Sequence, residues 1–131
     1  MKIRDLPEDM QSLIGQISLD SGYWGERGGY DEGKFLNTDL PMYDVPVEFF
    51  PPPSGRDDPY DERKYAEYID TPIDEYPPLV VAHDYFIDGN HRLYAALFQR
   101  VPEVRTLDAS KIILEPFVKR QKFLGKLKAP R

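Results

Sequence analysis

The chain of 131 residues contains no cysteine. This absence excludes a disulfide framework, a thiolate zinc site and a cysteine nucleophile. The sequence also lacks an apolar signal core after Met1, and none of its apolar stretches approaches the length of a membrane span. We therefore expect a cytoplasmic protein without a membrane partner.

The length suits one domain with a single hydrophobic core and is too short for two ordinary domains. Apolar residues make up 40% of the chain and charged residues 31%, which is typical of a globular protein and not of a disordered one. We accordingly predict one domain over residues 1–131.

The net charge of −6 is unevenly distributed. From Lys111 to Arg131 there are seven Lys or Arg and one Glu, a balance of +6, so the first 110 residues carry −12. An acidic body repels nucleic-acid backbones, which disfavours non-specific DNA binding by the whole domain. The basic C-terminal tail, residues 116–131, could still contact nucleic acid, or it could remain a solvated surface.

The N-terminal quarter predicts a helix followed by an irregular loop. A short amphipathic helix is expected after Asp5 and Pro7, because apolar residues recur there at helical spacing: Met10, Leu13, Ile14 and Ile17. The glycine- and aromatic-rich segment 21–30 predicts a loop. Its Trp24 either fills an edge of the core or serves as a substrate- or base-stacking wall.

The middle of the chain is rich in proline. A strand is predicted over residues 45–50, at a sheet edge because Pro46 lacks a backbone N–H. A stiff polar connection over residues 51–59 and a short helix over residues 61–68 are expected to follow.

The second half has the more regular pattern. We predict, in order, a buried strand over residues 79–82, a second strand over 85–87, a helix that Asn90 caps and that runs to about Gln99, a strand over 104–107, and a further strand or closing element over 112–114. The expected architecture is an α+β domain with a small mixed sheet and flanking helices.

The run Asp88-Gly89-Asn90-His91-Arg92, between an apolar strand and this helix, is the most informative feature. Gly89 permits a sharp turn and a close backbone approach, and the first N–H groups of a helix favour anions. Arg92 offers a bidentate fork to phosphate, and His91 can donate to phosphate or act as an acid or base. Asp88 would oppose an anion, so it suits a Mg²⁺ ligand, a base, or a partner that orients its neighbours. The alternative is that this run has no binding role: Asp88-Gly89 would be an ordinary turn, Asn90 an ordinary helix cap, and Arg92 a surface residue paired with an acidic neighbour.

The context of this run resembles the ParB/sulfiredoxin superfamily, which includes the ParB-like nuclease domain. Over residues 77–107, a Pro-Pro-Leu-Val-Val strand precedes a Gly-x-x-Arg turn, a Leu-Tyr-Ala-Ala helix and a Val-centred strand. Superfamily members include sulfiredoxin, the CTP-binding partition proteins and an ADP-dependent free serine kinase. The resemblance implies a core over about residues 41–115, and a turn in which the phosphates of ATP, ADP or CTP are bound by Gly89, Asn90, His91 and Arg92.

The match to each subfamily is uneven. At the positions that match residues 89–92, sulfiredoxin has Gly-Cys-His-Arg. Asn90 therefore stands where sulfiredoxin has its catalytic cysteine, and sulfinic-acid reduction by the known route is excluded for this chain. The partition proteins, with Gly-Glu-Arg-Arg, match at Gly89 and Arg92. The serine kinase, similar to Asp-Gly-His-Thr-Arg, matches at Asp88 as well. Relatives also bring a carboxylate near the phosphate, for which the candidates are Asp61, Glu62, Asp70, Asp74 and Glu75.

Three hypotheses of function follow. The first is a nucleotide-phosphate-binding protein, a small phosphotransferase or nucleotide hydrolase, with Asp88 and His91 as catalytic residues and Mg²⁺ at Asp88. The second is a nucleic-acid-binding protein or nuclease that uses the basic tail. The third is a non-catalytic interaction or inhibitor protein of phage or plasmid type, whose contact surfaces would be residues 51–53 and the loop of Tyr23, Trp24 and Tyr30.

Overall fold

The computed structural model describes residues 1–51, 71–115, 121–123, 125 and 127. These residues form helices and strands joined by short 3-10 turns: α1 Glu8–Asp20, α2 Glu32–Leu36, β1 Met42–Pro46, β2 Leu79–Ala82, β3 Tyr85–Asp88, α3 Asn90–Phe98, β4 Glu103–Asp108 and β5 Gln121–Lys122. The strands make one sheet in the order β1-β4-β2-β3-β5. Strands β2 and β4 are parallel, and the other neighbours are antiparallel. The predicted α+β class with a small mixed sheet is confirmed.

Both faces of the sheet are covered, which explains why β2 is buried along its whole length. Successive side chains of a strand point to opposite faces. Val80 and Ala82 accordingly belong to one apolar cluster together with α1, whereas Leu79 and Val81 belong to a second cluster together with Leu93 of α3. Apart from their N-terminal turns, α1 and α3 therefore lie on opposite faces of the sheet, and strand β3 leads into α3.

The predicted amphipathic helix is confirmed as α1, and the loop after it is held by a buried tryptophan. Trp24 is only 5% exposed and belongs to the cluster of α1. Its Nε1 donates to Ser18 Oγ at 2.9 Å, and that hydroxyl donates to the carbonyl of Ile112 at 2.6 Å. Trp24 therefore fills an edge of the core, and the alternative of a stacking wall is wrong for this residue.

One strand prediction is wrong in its bounds, and for a second segment the strand alternative is wrong. The strand expected over residues 45–50 begins at Met42 and ends at Pro46, after which Val47–Phe49 form a 3-10 turn. It is an edge strand, as expected. The segment 112–114 is not a strand, because Ser110–Ile112 form another 3-10 turn. Ile112 and Ile113 are buried in the cluster that contains α1, which explains the apolar character of this segment. A short apolar run does not by itself distinguish a strand from another kind of buried segment.

The described residues leave other predictions untested. Almost all of the predicted connection, from residue 52 onward, and the predicted helix over residues 61–68 lie outside them. The division into a core over residues 41–115 and a tail over 116–131 also stays a prediction. Within the described part of the chain, no helix is long and apolar enough to cross a membrane.

The hydrogen-bond chain through Ser18 generates the first prediction. Ser18→Ala leaves the Trp24 N–H and the Ile112 carbonyl without this buried partner, so we expect the free energy of unfolding to fall by about 2 kcal/mol. Ser12→Ala is the matched control, because Ser12 lies on the same helix and is exposed. It should change stability by less than about 0.5 kcal/mol. Urea unfolding measures both, and equal losses would contradict the buried role.

Candidate functional site at two helix N-termini

The turn singled out in the sequence connects β3 to α3. Asp88 is the last residue of β3, and Asn90 is the first residue of α3. The N-cap of this helix is Gly89, with φ of 122°, so the prediction that Asn90 caps the helix is wrong by one position. Only glycine adopts this backbone conformation without strain, which is why the change of direction occurs there.

Close packing adds a second reason for glycine at position 89. A Cβ atom there would lie 2.8 Å from Cγ of Leu79 and 3.3 Å from Nη2 of Arg92. The sequence predicted a close approach of the backbone to a ligand. The structure shows a close approach to the neighbouring strand β2, which fixes the start of α3 against the sheet.

The guanidinium of Arg92 is buried and joins three parts of the chain. The residue is 6% exposed. Its Nη1 donates to the carbonyl of Pro78 at 2.6 Å and to Sδ of Met10 at 3.2 Å, and its Nη2 donates to Oδ2 of Asp88 at 2.8 Å. Arg92 therefore connects α3 to α1 and to the start of β2. Phosphate binding by Arg92 stays a prediction.

A cavity of about 290 Å³ lies at this junction. The structure places all five residues of the predicted turn, Asp88–Arg92, along its wall. The rest of the lining comes from the start of α1, namely Pro7, Asp9 and Met10, and from Pro77 before β2. The N-termini of α1 and α3 therefore open onto the same cavity.

Among the described residues, the upstream carboxylate that lines the cavity is not one of the predicted candidates. Asp9, in the first turn of α1, lines the cavity, whereas Asp74 and Glu75 lie in a 3-10 turn and are not part of the cavity wall. The other three candidates, Asp61, Glu62 and Asp70, lie outside the described residues. Sequence reasoning missed Asp9 because no local pattern links α1 to a turn about eighty positions further along the chain.

The side-chain charges of the described residues that line the cavity do not sum to a positive value. Asp9, Asp88 and Arg92 together carry −1 when His91 is neutral. Helix N-termini add partial positive charge, equivalent to roughly half an elementary charge each. No group of three or more His, Asp or Glu side chains that could hold a metal ion occurs within residues 1–51, 71–115, 123, 125 and 127.

Comparisons with known proteins identify no family for this chain. No protein-family model matches it, and neither a curated protein nor a solved structure does. The resemblance of residues 77–107 to the ParB/sulfiredoxin superfamily therefore stays a prediction from the sequence.

The turn generates a second prediction. Gly89→Ala combines a strained backbone with a clash against Leu79, so we expect a loss of about 3 kcal/mol in the free energy of unfolding. Gly22→Ala is the matched control, since Gly22 has φ of 87° but nothing within 4 Å of the position that a Cβ atom would take. It should lose only about 1 kcal/mol, from backbone strain. Equal losses in urea unfolding would contradict the packing argument.

The Arg92 contacts generate a third prediction. Arg92→Ala removes the donors that serve Asp88 and the Pro78 carbonyl, so we expect a loss of about 3 kcal/mol in the free energy of unfolding. Asp88→Asn should lose less, about 2 kcal/mol, because the amide oxygen at this partly exposed position still accepts from Arg92, although the buried guanidinium loses its counter-charge. Urea unfolding measures both variants. If Asp88→Asn lost more stability than Arg92→Ala, the charge of Asp88 and not the hydrogen bonds of Arg92 would stabilise this junction.

Proposed function

We propose that this protein binds the phosphates of a nucleotide, together with Mg²⁺, in the cavity between the N-termini of α1 and α3. The observation that carries the proposal is the convergence of two helix N-termini and the whole Asp88–Arg92 turn on that one cavity. Helix N-termini favour anions through both their backbone N–H groups and their dipoles.

The charge balance of the cavity supports a phosphate that arrives with a cation. Arg92 is already paired with Asp88, and Asp9 adds a further negative charge. A bare polyphosphate would therefore meet a wall of net negative side-chain charge. Mg²⁺ is commonly held by one or two carboxylates and by the substrate's own phosphate oxygens. Among the described residues that line the cavity, Asp9 and Asp88 are the carboxylates available for that role.

The proposed chemistry is phosphoryl transfer or nucleotide hydrolysis, as in a ParB/sulfiredoxin-like protein. Phosphoryl transfer depends mainly on positioning and on neutralisation of charge. Gly89 and Asn90 would position the phosphates from the start of α3, and His91 would donate to them or move a proton. Bound Mg²⁺ would supply neutralisation of the phosphate charge, while Arg92 holds the turn through its hydrogen bonds to Pro78 and Asp88. The likeness of the turn and its flanking strands to that superfamily supports this assignment.

The other two hypotheses receive less support from the described residues. The basic tail over 116–131, on which nucleic-acid binding depends, lies mostly outside them. Trp24 is buried, so it is unsuited to be a contact residue of an interaction protein. A nuclease and an inhibitor of phage or plasmid type both stay predictions from the sequence.

The fourth prediction tests nucleotide binding by thermal unfolding. ATP, ADP and CTP are each added at millimolar concentration, with Mg²⁺ or with EDTA. We expect at least one of them to raise the melting temperature in Mg²⁺ and to do so much less in EDTA, since ligand at a hundred times Kd stabilises a protein by about 2.7 kcal/mol. Release of inorganic phosphate measures hydrolysis in parallel. No shift with any of the three nucleotides would contradict the proposal.

Matched variants locate the binding site. Asp9→Asn and Glu8→Gln each remove one negative charge from the first turn of α1, but only Asp9 lines the cavity. Asp9→Asn should lose most of the Mg²⁺-dependent shift, and Glu8→Gln should retain it. Asp88→Asn should also lose that shift, yet it should gain stability from inorganic phosphate without Mg²⁺, because its cavity is less negative. Equal behaviour of the Asp9 and Glu8 variants would place the nucleotide elsewhere.

A further inference from the structure

A second concave surface lies between α1 and α2, away from the nucleotide cavity. It has a volume of about 320 Å³, and its wall includes Gly15 and Leu19 of α1, Phe35 of α2, and Tyr30 of the loop before α2. We call it the α1–α2 groove. Leu19 is 43% exposed and Tyr30 is 44% exposed. Two of the large apolar side chains that the fold leaves exposed therefore lie on one groove.

The aromatic side chains of the groove pack against one another and against the core. Tyr30 packs edge-on against Trp24 with ring centroids 5.3 Å apart, and it lies 5.9 Å from the ring of Phe35. Trp24 is in turn anchored through its hydrogen bond to Ser18. Gly15 has no side chain, so the edge of Phe35 comes within 3.2 Å of where a Cβ atom would stand. A preorganised apolar wall loses little conformational entropy when it binds a partner.

The groove is set in an acidic part of the protein. Residues 8–36, which span α1, the loop and α2, contain six acidic residues against two basic ones, a balance of −4. Glu32 lines the groove, and Asp20 accepts a hydrogen bond at 2.9 Å from Gln16, which also lines it. The pKa of Tyr30 is raised above its ordinary value, first by burial and then by the negative charges of Glu32 and Asp31. The apolar wall is thus bordered by negative potential.

We propose that the α1–α2 groove binds a basic amphipathic segment of a partner protein, with an aliphatic anchor against Leu19 and Tyr30 and Lys or Arg side chains near Glu32 and Asp20. Apolar anchors in a rigid pocket supply most of the affinity of such contacts, and opposite charge supplies specificity and rate of association. The α1–α2 groove shares no lining residue with the cavity proposed for the nucleotide. Peptide binding and nucleotide binding can therefore each be disproved without the other.

The protein's own basic tail is a less suitable occupant. Phe123 is buried in the cluster on the α3 side of the sheet, and Leu127 packs against that cluster. These apolar residues of the tail are therefore engaged on the face of the sheet opposite α1. The occupant that we propose for the groove is therefore a segment of another molecule.

The fifth prediction uses a synthetic peptide as the probe, with leucines at helical spacing among lysines, and an analogue with glutamate in place of lysine. Binding of the fluorescently labelled peptides to the full-length protein is measured by anisotropy at low salt. We expect the lysine peptide to bind and the glutamate analogue not to bind. Leu19→Lys should weaken binding by about tenfold, the effect of losing one apolar anchor.

Matched variants decide whether the binding is local. Leu97 on α3 is as exposed as Leu19, at 42%, and it too is the second-to-last residue of its helix. Leu97→Lys should leave binding unchanged. Glu32→Gln should weaken binding, because Glu32 lines the groove. Glu48→Gln is its control and should leave binding unchanged, because Glu48 lies in the 3-10 turn Val47–Phe49 and is not part of the groove wall. Equal effects of the two leucine variants would overturn the proposal, because they would indicate general attraction to an acidic protein. A dimer in analytical ultracentrifugation that Leu19→Lys dissociates would also overturn it, since the occupant would be a second copy of this chain.

Discussion

The buried guanidinium of Arg92 constrains the three chain segments that meet at the candidate site. It donates to the carbonyl of Pro78 before β2, to the sulfur of Met10 in α1 and to the carboxylate of Asp88 at the end of β3. A buried charge is tolerated only when it is paired and hydrogen-bonded. These contacts therefore limit where α1 and α3 can lie relative to the sheet. The convergence of the two helix N-termini on one cavity is a consequence of that limit.

The same contacts change the chemistry expected of the turn. A guanidinium that already serves protein acceptors, and whose charge Asp88 balances, differs from an open arginine clamp that waits for a phosphate. Asp9 shifts the side-chain charge of the cavity further towards negative. The proposed preference for a phosphate with bound Mg²⁺ rests on this charge balance.

Helix α1 connects the two proposed surfaces. Its N-terminus borders the nucleotide cavity, and its C-terminal half, with Leu19, borders the α1–α2 groove. The acidic character of the body acts at both places, because it favours a divalent cation at the first and Lys or Arg side chains at the second. One charge distribution thus explains two different expected ligands. Between the surfaces, the inner face of α1 packs on the sheet and gives both a rigid support.

The sequence by itself determined those features that depend on neighbouring residues. Helix α1, strands β2 and β4, and the turn before α3 were all predictable, because hydrophobic period and glycine conformation are local properties. The end of β1 at Pro46 and the 3-10 turn at Ser110–Ile112 were not, since burial and strand pairing decided them. Only the tertiary structure brought Asp9 to the cavity and Met10 to Arg92, from which it is separated by 82 positions. A periodic pattern shows which face of an element is buried, but packing between distant elements decides which residues that face meets.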